Sequence, residues 1–207
     1  MWLLDLLFPP RTDEKVLRDV SLDTFLALVT PQIAPATRPA AVVLLPFSDS
    51  RVRSAIHEAK YHGSDYAFTL LGSALAEYLR DLDYDHVGPR RSHMVVPVPL
   101  GRERRRERGF NQVEEIACRA LQSIDSTFTV DSILLERIRE TESQVSLERR
   151  RREENMRGAF RATRHASPTS TYILVDDVLT TGATLQAAID ALKESGAENI
   201  IPLALAH

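Results

Sequence analysis

Residues 172–197 read YILVDDVLTTGATLQAAIDALKESGA. Two adjacent carboxylates, Asp176 and Asp177, are followed by Thr180, Thr181, Gly182, Ala183 and Thr184, all between an apolar strand-like run and a helical one. Exposed amides at a helix start, aided by the helix dipole and by threonine hydroxyls, make a cradle for phosphate. Gly182 lets the backbone approach such a group with no Cβ in the way. No lysine follows the glycine, so the turn is not a nucleoside-triphosphate P-loop. Two carboxylates beside one phosphate would repel a second phosphate. They can instead accept hydrogen bonds from a sugar diol, or hold a metal through water. Ribose 5-phosphate meets all of these demands.

These groups need a framework. TYILV (171–175) reads as a buried strand, GATLQAAIDALKESG (182–196) as a helix with Leu185, Ala188, Ile189 and Leu192 inward and Gly196 as its cap, and NIIPLALA (199–206) as a last strand. Upstream, AVVLLPF (41–47), HMVVPVPL (93–100) and SILLERI (132–138) read as strands. Helices are expected from Asp49 or Ser50 to a stop at Gly63, over 65–80, and in RGFNQVEEIACRALQSI, where Val113, Ile116, Ala117, Ala120, Leu121 and Ile124 form the apolar stripe. Cys118 is assigned to that stripe. Residues 13–29 carry a loose helical pattern, and the three prolines of PQIAPATRPA (31–40) read as a linker. Strands alternating with helices predict an α/β fold with a central parallel sheet covered on both faces. In open sheets of this kind, ligands bind beyond the carboxyl ends of the strands, where Asp176 and Asp177 stand.

Composition narrows the classes. The chain has 207 residues, 43% of them hydrophobic, and a net charge of −3, as for a soluble globular protein. One cysteine excludes an intramolecular disulfide and a cysteine-cage zinc site, which fits a reducing cytoplasm. No apolar run approaches a membrane span, and MWLLDLLFPP, with Asp5 and no basic flank, reads as a short docking segment rather than a signal peptide. The charge is uneven: −4 over 1–88, +5 over 89–164 and −4 over 165–207, and every basic residue of the middle block is arginine. A cationic middle suits an anionic ligand. The histidines show no ligand spacing, so no protein-built metal site is expected.

ILVDDVLTTGAT (173–184) resembles the 5-phosphoribosyl-1-pyrophosphate (PRPP) motif of type I phosphoribosyltransferases. HEAKYHG (57–63), VVPVPLGRERRRERGFNQ (95–112) and LLERIRETESQVSLERRRREENMRGAF (134–160) are similar to its ComF/GntX-like branch, so the resemblance covers most of 50–207. Leu3 to Arg11 match the lead-in to a four-cysteine zinc module of that branch, yet no cysteine follows; no structural zinc is expected. The resemblance implies a Rossmann-like core over 46–207, a small and mostly helical N-terminal region over 1–45, and a hood loop at 140–157. It implies roles for Asp176 and Asp177 as the catalytic pair on the ribose diol, and for Thr180, Thr181, Gly182, Ala183 and Thr184 on the 5-phosphate. Arg102, Arg104, Arg105, Arg106 and Arg108 would face the diphosphate, Lys60 and Asn111 would lie near the ligand, and Gln144, Arg149 and Asn155 would belong to the hood. Asn111 also suits a helix N-cap.

Three functions follow from these readings. The first is an enzyme that moves ribose 5-phosphate from PRPP, with Mg2+ held indirectly at Asp176 and Asp177, to an unread nitrogen acceptor with release of diphosphate. The second is a PRPP-fold protein of natural transformation that binds single-stranded DNA through its arginines and acts with the DNA-uptake machinery. A PRPP-sensing regulator is the third. A second copy of the chain, in a homodimer, stands among the expected partners.

Overall fold

The computed structural model describes residues 11–84, 92–124, 128–139 and 156–207. Its main sheet has six strands: β1 (Gln32–Ala34), β2 (Ala41–Leu45), β3 (His93–Pro97), β4 (Phe128–Val130), β7 (Thr171–Val178) and β8 (Asn199–Ala206), in the order β1-β2-β8-β7-β3-β4. All neighbours are parallel except β1 and β2. β7 is buried from Thr171 to Val175, as a strand covered on both faces must be. The prolines of 31–40 do not keep that segment out of the sheet. They leave room for a three-residue edge strand, where a missing N–H costs no ladder bond, and β1 pairs with β2 through Ile33 and Val42.

Alternate residues of the strands feed two apolar layers. One contains Val95, Ile173, Val175 and Leu203 and is covered by helices α1 (Thr12–Arg18), α2 (Leu22–Leu26), α3 (Ser50–His62), α4 (Asp65–Tyr84) and α6 (Gln112–Gln122). The other contains Val96, Tyr172, Leu174 and Ala204 and is covered by α7 (Ala183–Glu194) and the hairpin of β5 (Leu135–Arg137) and β6 (Phe160–Ala162). The inward positions expected on α7 are all buried, and Val52, Ala55, Ile56 and Ala59 are the buried apolar face of α3. Leu17, Val20 and Phe25 bring the two N-terminal helices into the first layer.

Two expectations fail here. Cys118 is exposed, because at about 100° per residue it turns away from the stripe of Val113, Ile116, Ala117 and Ala120. The arginine run after β3, which the resemblance to the type I fold implies is a loop, is instead helical: Arg102–Arg108 form a short helix, α5, with no buried residue. A helix without an apolar stripe leaves no periodicity to read.

The connections fix where a ligand belongs. β3 leads through α6 to β4, on one side; β7 leads through α7 to β8, on the other side and across the opposite face. The chain therefore diverges between β3 and β7, the switch point at which a doubly wound sheet has its crevice, beyond the carboxyl ends of the strands.

Candidate functional site

Asp176 and Asp177 occupy that crevice, with Asp176 in register with Ala204 on β8. Because successive strand residues face opposite ways, the two carboxylates differ. Asp177 is buried and fully engaged. Its Oδ2 accepts from Gln112 Nε2 at 2.7 Å and lies 3.2 Å from Lys60 Nζ, and its Oδ1 accepts from the Val178 amide at 2.7 Å. Asp176 is half-buried and accepts only the Asp177 amide, at 2.9 Å through Oδ1, among the described residues. Burial, then the neighbouring Asp177 charge, push its carboxyl up to about 7, against the opposing pull of the Asp177 amide, Lys60 and Arg137. A carboxyl with an open oxygen and a proton affinity in that range is suited to meet a diol or a hydrated cation.

The turn that follows is held from behind. The Leu179 amide donates to Ala206 O at 2.8 Å, and Leu179 O lies 2.7 Å from His207 Nδ1. Gly182 then takes a left-handed φ of 79°, and α7 begins with no side-chain cap. Among the described residues, its first-turn amides have no acceptor apart from a long 3.4 Å contact of the Ala183 amide with Thr181 Oγ1. A Cβ on Gly182 would lie 2.6 Å from Ala36 O, so the segment after β1 presses on the turn. Beside it lies a cavity of about 440 Å³ lined by Ala36, Thr37, Arg38, Arg157, Thr181, Gly182 and Gln186; it includes neither Asp176 nor Asp177 and flanks the crevice.

The loop after β3 supplies the opposite wall. Val98 N donates to Val175 O at 2.8 Å, and Asn111 joins this wall to α6: its Nδ2 donates to Val98 O at 3.1 Å while its Oδ1 caps the helix through the Val113 amide at 3.1 Å. Lys60 arrives on the last turn of α3, ended by Gly63 in a left-handed turn against the Phe110 ring. Arg108 is half-buried, lies 5.1 Å from the Tyr61 ring centroid and donates to Gln112 Oε1 at 3.1 Å. Arg105 is drawn away to Glu114 at 2.8 Å. Arg102 and Arg106 are exposed and Arg104 is half-buried. Thus the structure brings Lys60, Arg108, Asn111, Asp176, Asp177 and the 180–184 turn together, while Gln144, Arg149 and Asn155 lie outside the described residues.

Sequence reasoning passed over Gln112 and Arg137, whose links to the carboxylates span 65 positions for Gln112. It also passed over a second polar cluster. His57, Glu58 and His62 hold donor atoms within 4.8 Å of one another, a grouping that the absence of ligand spacing argued against. The buried Glu58 carboxylate already takes the Arg11 fork at 2.9 and 2.7 Å, and His57 Nδ1 lies 3.0 Å from Asp13 Oδ2. These pairs fasten α1 to α3.

Comparison with known proteins gives one domain match and several relatives. A phosphoribosyl transferase domain model matches residues 129–207, from β4 through the carboxylate pair and the phosphate turn to the last strand. Competence protein F of Haemophilus influenzae is 30% identical over 110 residues, 51% of this chain and 46% of that protein. The DNA utilization protein YhgH of Salmonella typhimurium is 31% identical over 146 residues, 70% and 62% of the two chains. Competence protein ComFC of Bacillus subtilis is 31% identical over 114 residues, 55% and 43%. The chain thus carries a phosphoribosyl transferase domain match and is similar to ComF-like proteins. It spans about half the length of the ComF-like relatives it matches. The adenine phosphoribosyltransferase of Leishmania tarentolae resembles it more loosely, with 15% identity and a TM-score of 0.39 over 86% of this chain and 94% of that one. The chain has a mostly parallel sheet flanked by helices, and no helix among its described residues is long and apolar enough to cross a membrane.

Proposed function

We propose that the chain binds PRPP and transfers its ribose 5-phosphate to a nitrogen acceptor, releasing diphosphate. The observation that carries this reading is the carboxylate pair at the end of β7 directly before an uncapped helix start, at the point where β3 and β7 diverge. The α7 amides and Thr180 to Thr184 would take the 5-phosphate. Asp176, with its open oxygen, would accept from the ribose diol, and Asp177, fixed by Lys60 and Gln112, would set the position of its neighbour. Arg108 is the arginine of α5 best placed toward the diphosphate, since it alone is tied to the carboxylates through Gln112.

In the reaction the C1–O bond breaks, diphosphate leaves with the electron pair, and the acceptor nitrogen forms the C1–N bond and gives up its proton to solvent. Fixed cations near the departing oxygens would stabilise charge as it develops. Mg2+ fits the donors present, because Asp176 offers a hard, solvent-reachable oxygen. Asp176 and Asp177 would hold it indirectly, and its chemistry there would be neutralisation of the negative charge of the diphosphate. The direct test is diphosphate release from PRPP and Mg2+ across a panel of nucleobases and amines. Binding of PRPP without release for any acceptor would remove the enzymatic half of the proposal.

A second reading has its own support. Arg102, Arg105 and Arg106 face solvent on α5, and the similar proteins carry names of competence and DNA utilization. A PRPP-fold protein that holds single-stranded DNA there would show affinity that falls steeply with salt. Affinity indifferent to salt, or retained after loss of Arg104, Arg105 and Arg106, would dismiss it.

A further inference from the structure

Gln112 is buried, and both ends of its amide are in use: Nε2 donates to Asp177 Oδ2 at 2.7 Å, and Oε1 accepts from Arg108 Nη1 at 3.1 Å. The partners fix the amide's orientation. Turned over, it would set its oxygen against a carboxylate and its NH2 against a guanidinium, two repulsive contacts in place of two charge-assisted bonds. The chain of contacts closes on itself. Asp177 meets Lys60 at 3.2 Å, Lys60 precedes Tyr61 in α3, and Arg108 lies over the Tyr61 ring at 5.1 Å. Gln112 is also the first residue of α6, where the Asn111 cap fixes the backbone that carries it.

We propose that Gln112 is a positioning residue that ties Arg108 to Asp177, so that the arginine on the diphosphate wall and the carboxylate on the ribose wall move as one unit. This rests on the reading of the crevice as a PRPP site. A neutral amide suits this role, because it donates to the anion and accepts from the cation without adding a charge that would compete for either. Arg108 is reachable from solvent, whereas Gln112 and Asp177 are buried, so the relay carries the position of an outer cation into the crevice.

The test uses ribose 5-phosphate, which has no diphosphate and hence nothing for Arg108 to touch directly. Its affinity is measured by calorimetry for the unaltered chain, Arg108→Ala, Gln112→Met and the double variant, with melting temperatures alongside. Gln112→Met should weaken binding roughly tenfold, the size expected for losing one hydrogen bond to a charged group. Arg108→Ala should weaken it about threefold in the unaltered background and not at all in the Gln112→Met background, since coupled residues are not additive. A residue that merely fills space would give no such background dependence. Unchanged affinity in Arg108→Ala, or effects that simply add, would overturn the relay while leaving the PRPP reading intact. Arg108→Ala alone decides the matter should Gln112→Met not fold, because Arg108 is half-exposed and outside the core. An unaltered chain that binds no ribose 5-phosphate would remove the PRPP reading and the relay with it.

Discussion

Gly182→Ala is the substitution whose cost can be worked out most directly. The residue sits at φ 79°, so any side chain meets the left-handed penalty of about 1–2 kcal/mol. The added Cβ would stand 2.6 Å from Ala36 O and 3.0 Å from Ala36 Cβ. Relief requires a shift of most of an ångström in the turn or in the 35–38 segment, and the Arg38 amide is itself held by Gln186 Oε1 at 2.7 Å. The sum is about 2–4 kcal/mol, from the backbone penalty together with the overpacking cost of a close contact. For a chain of this size that lowers the melting temperature by roughly 5–15 °C. The α7 amides move with the turn, so ribose 5-phosphate affinity should fall by roughly tenfold or more, as for the loss of a hydrogen bond to a charged group. Thermal unfolding and calorimetry on one preparation measure both. Adding Ala36→Gly should not restore either, because the closer contact is with the backbone oxygen. A variant that melts within about 1 °C of the unaltered chain would refute the reasoning, as would full rescue by Ala36→Gly.

Other outcomes are expected on the same grounds. Asp176 holds its proton up to about 7 in the folded chain, against 3.8 ordinarily, so the folded state binds more protons between those values and stability falls as pH rises through the window. The full shift would amount to ~4 kcal/mol, and its partial exposure reduces this to roughly half. Urea unfolding from pH 4 to 8 should show that slope and Asp176→Asn should lack it; equal slopes would contradict the assignment. Asn111→Ala loses an N-cap and the bond to Val98 O, and chemical denaturation should register a loss of about 1–3 kcal/mol. Arg11→Ala strands the buried Glu58 carboxylate, which should lower the denaturation midpoint and speed hydrogen exchange in α1; a variant matching the unaltered chain in both would show the pair to be idle.

Much of this was legible in the chain itself. The strand before Asp176 is an unbroken apolar run, and the helix after Gly182 keeps its stripe through Leu192, so the element boundaries that place the site follow from burial alone. Asn111 as a cap and Gly63 as a stop were readable because capping chemistry is local. What escaped was of two kinds. Long-range contacts, such as the hydrogen bond of Gln112 to Asp177 and the close approach of Ala36 to Gly182, leave no periodic trace. Elements without an apolar face, α5 and the edge strand β1, looked like loop and linker. The carboxylates also looked alike in sequence, and only the strand's alternation and the reach of Lys60 and Gln112 separate the engaged Asp177 from the open Asp176.

The central claim is that the crevice beyond β7 grips a phosphorylated ribose. Calorimetric titration of PRPP with Mg2+ into the unaltered chain and into Asp176→Ala tests it most directly. The account predicts saturable, one-to-one binding that weakens at least tenfold in the variant, the loss of an acceptor to the diol. No heat with the unaltered chain, or equal affinity in both, would contradict it.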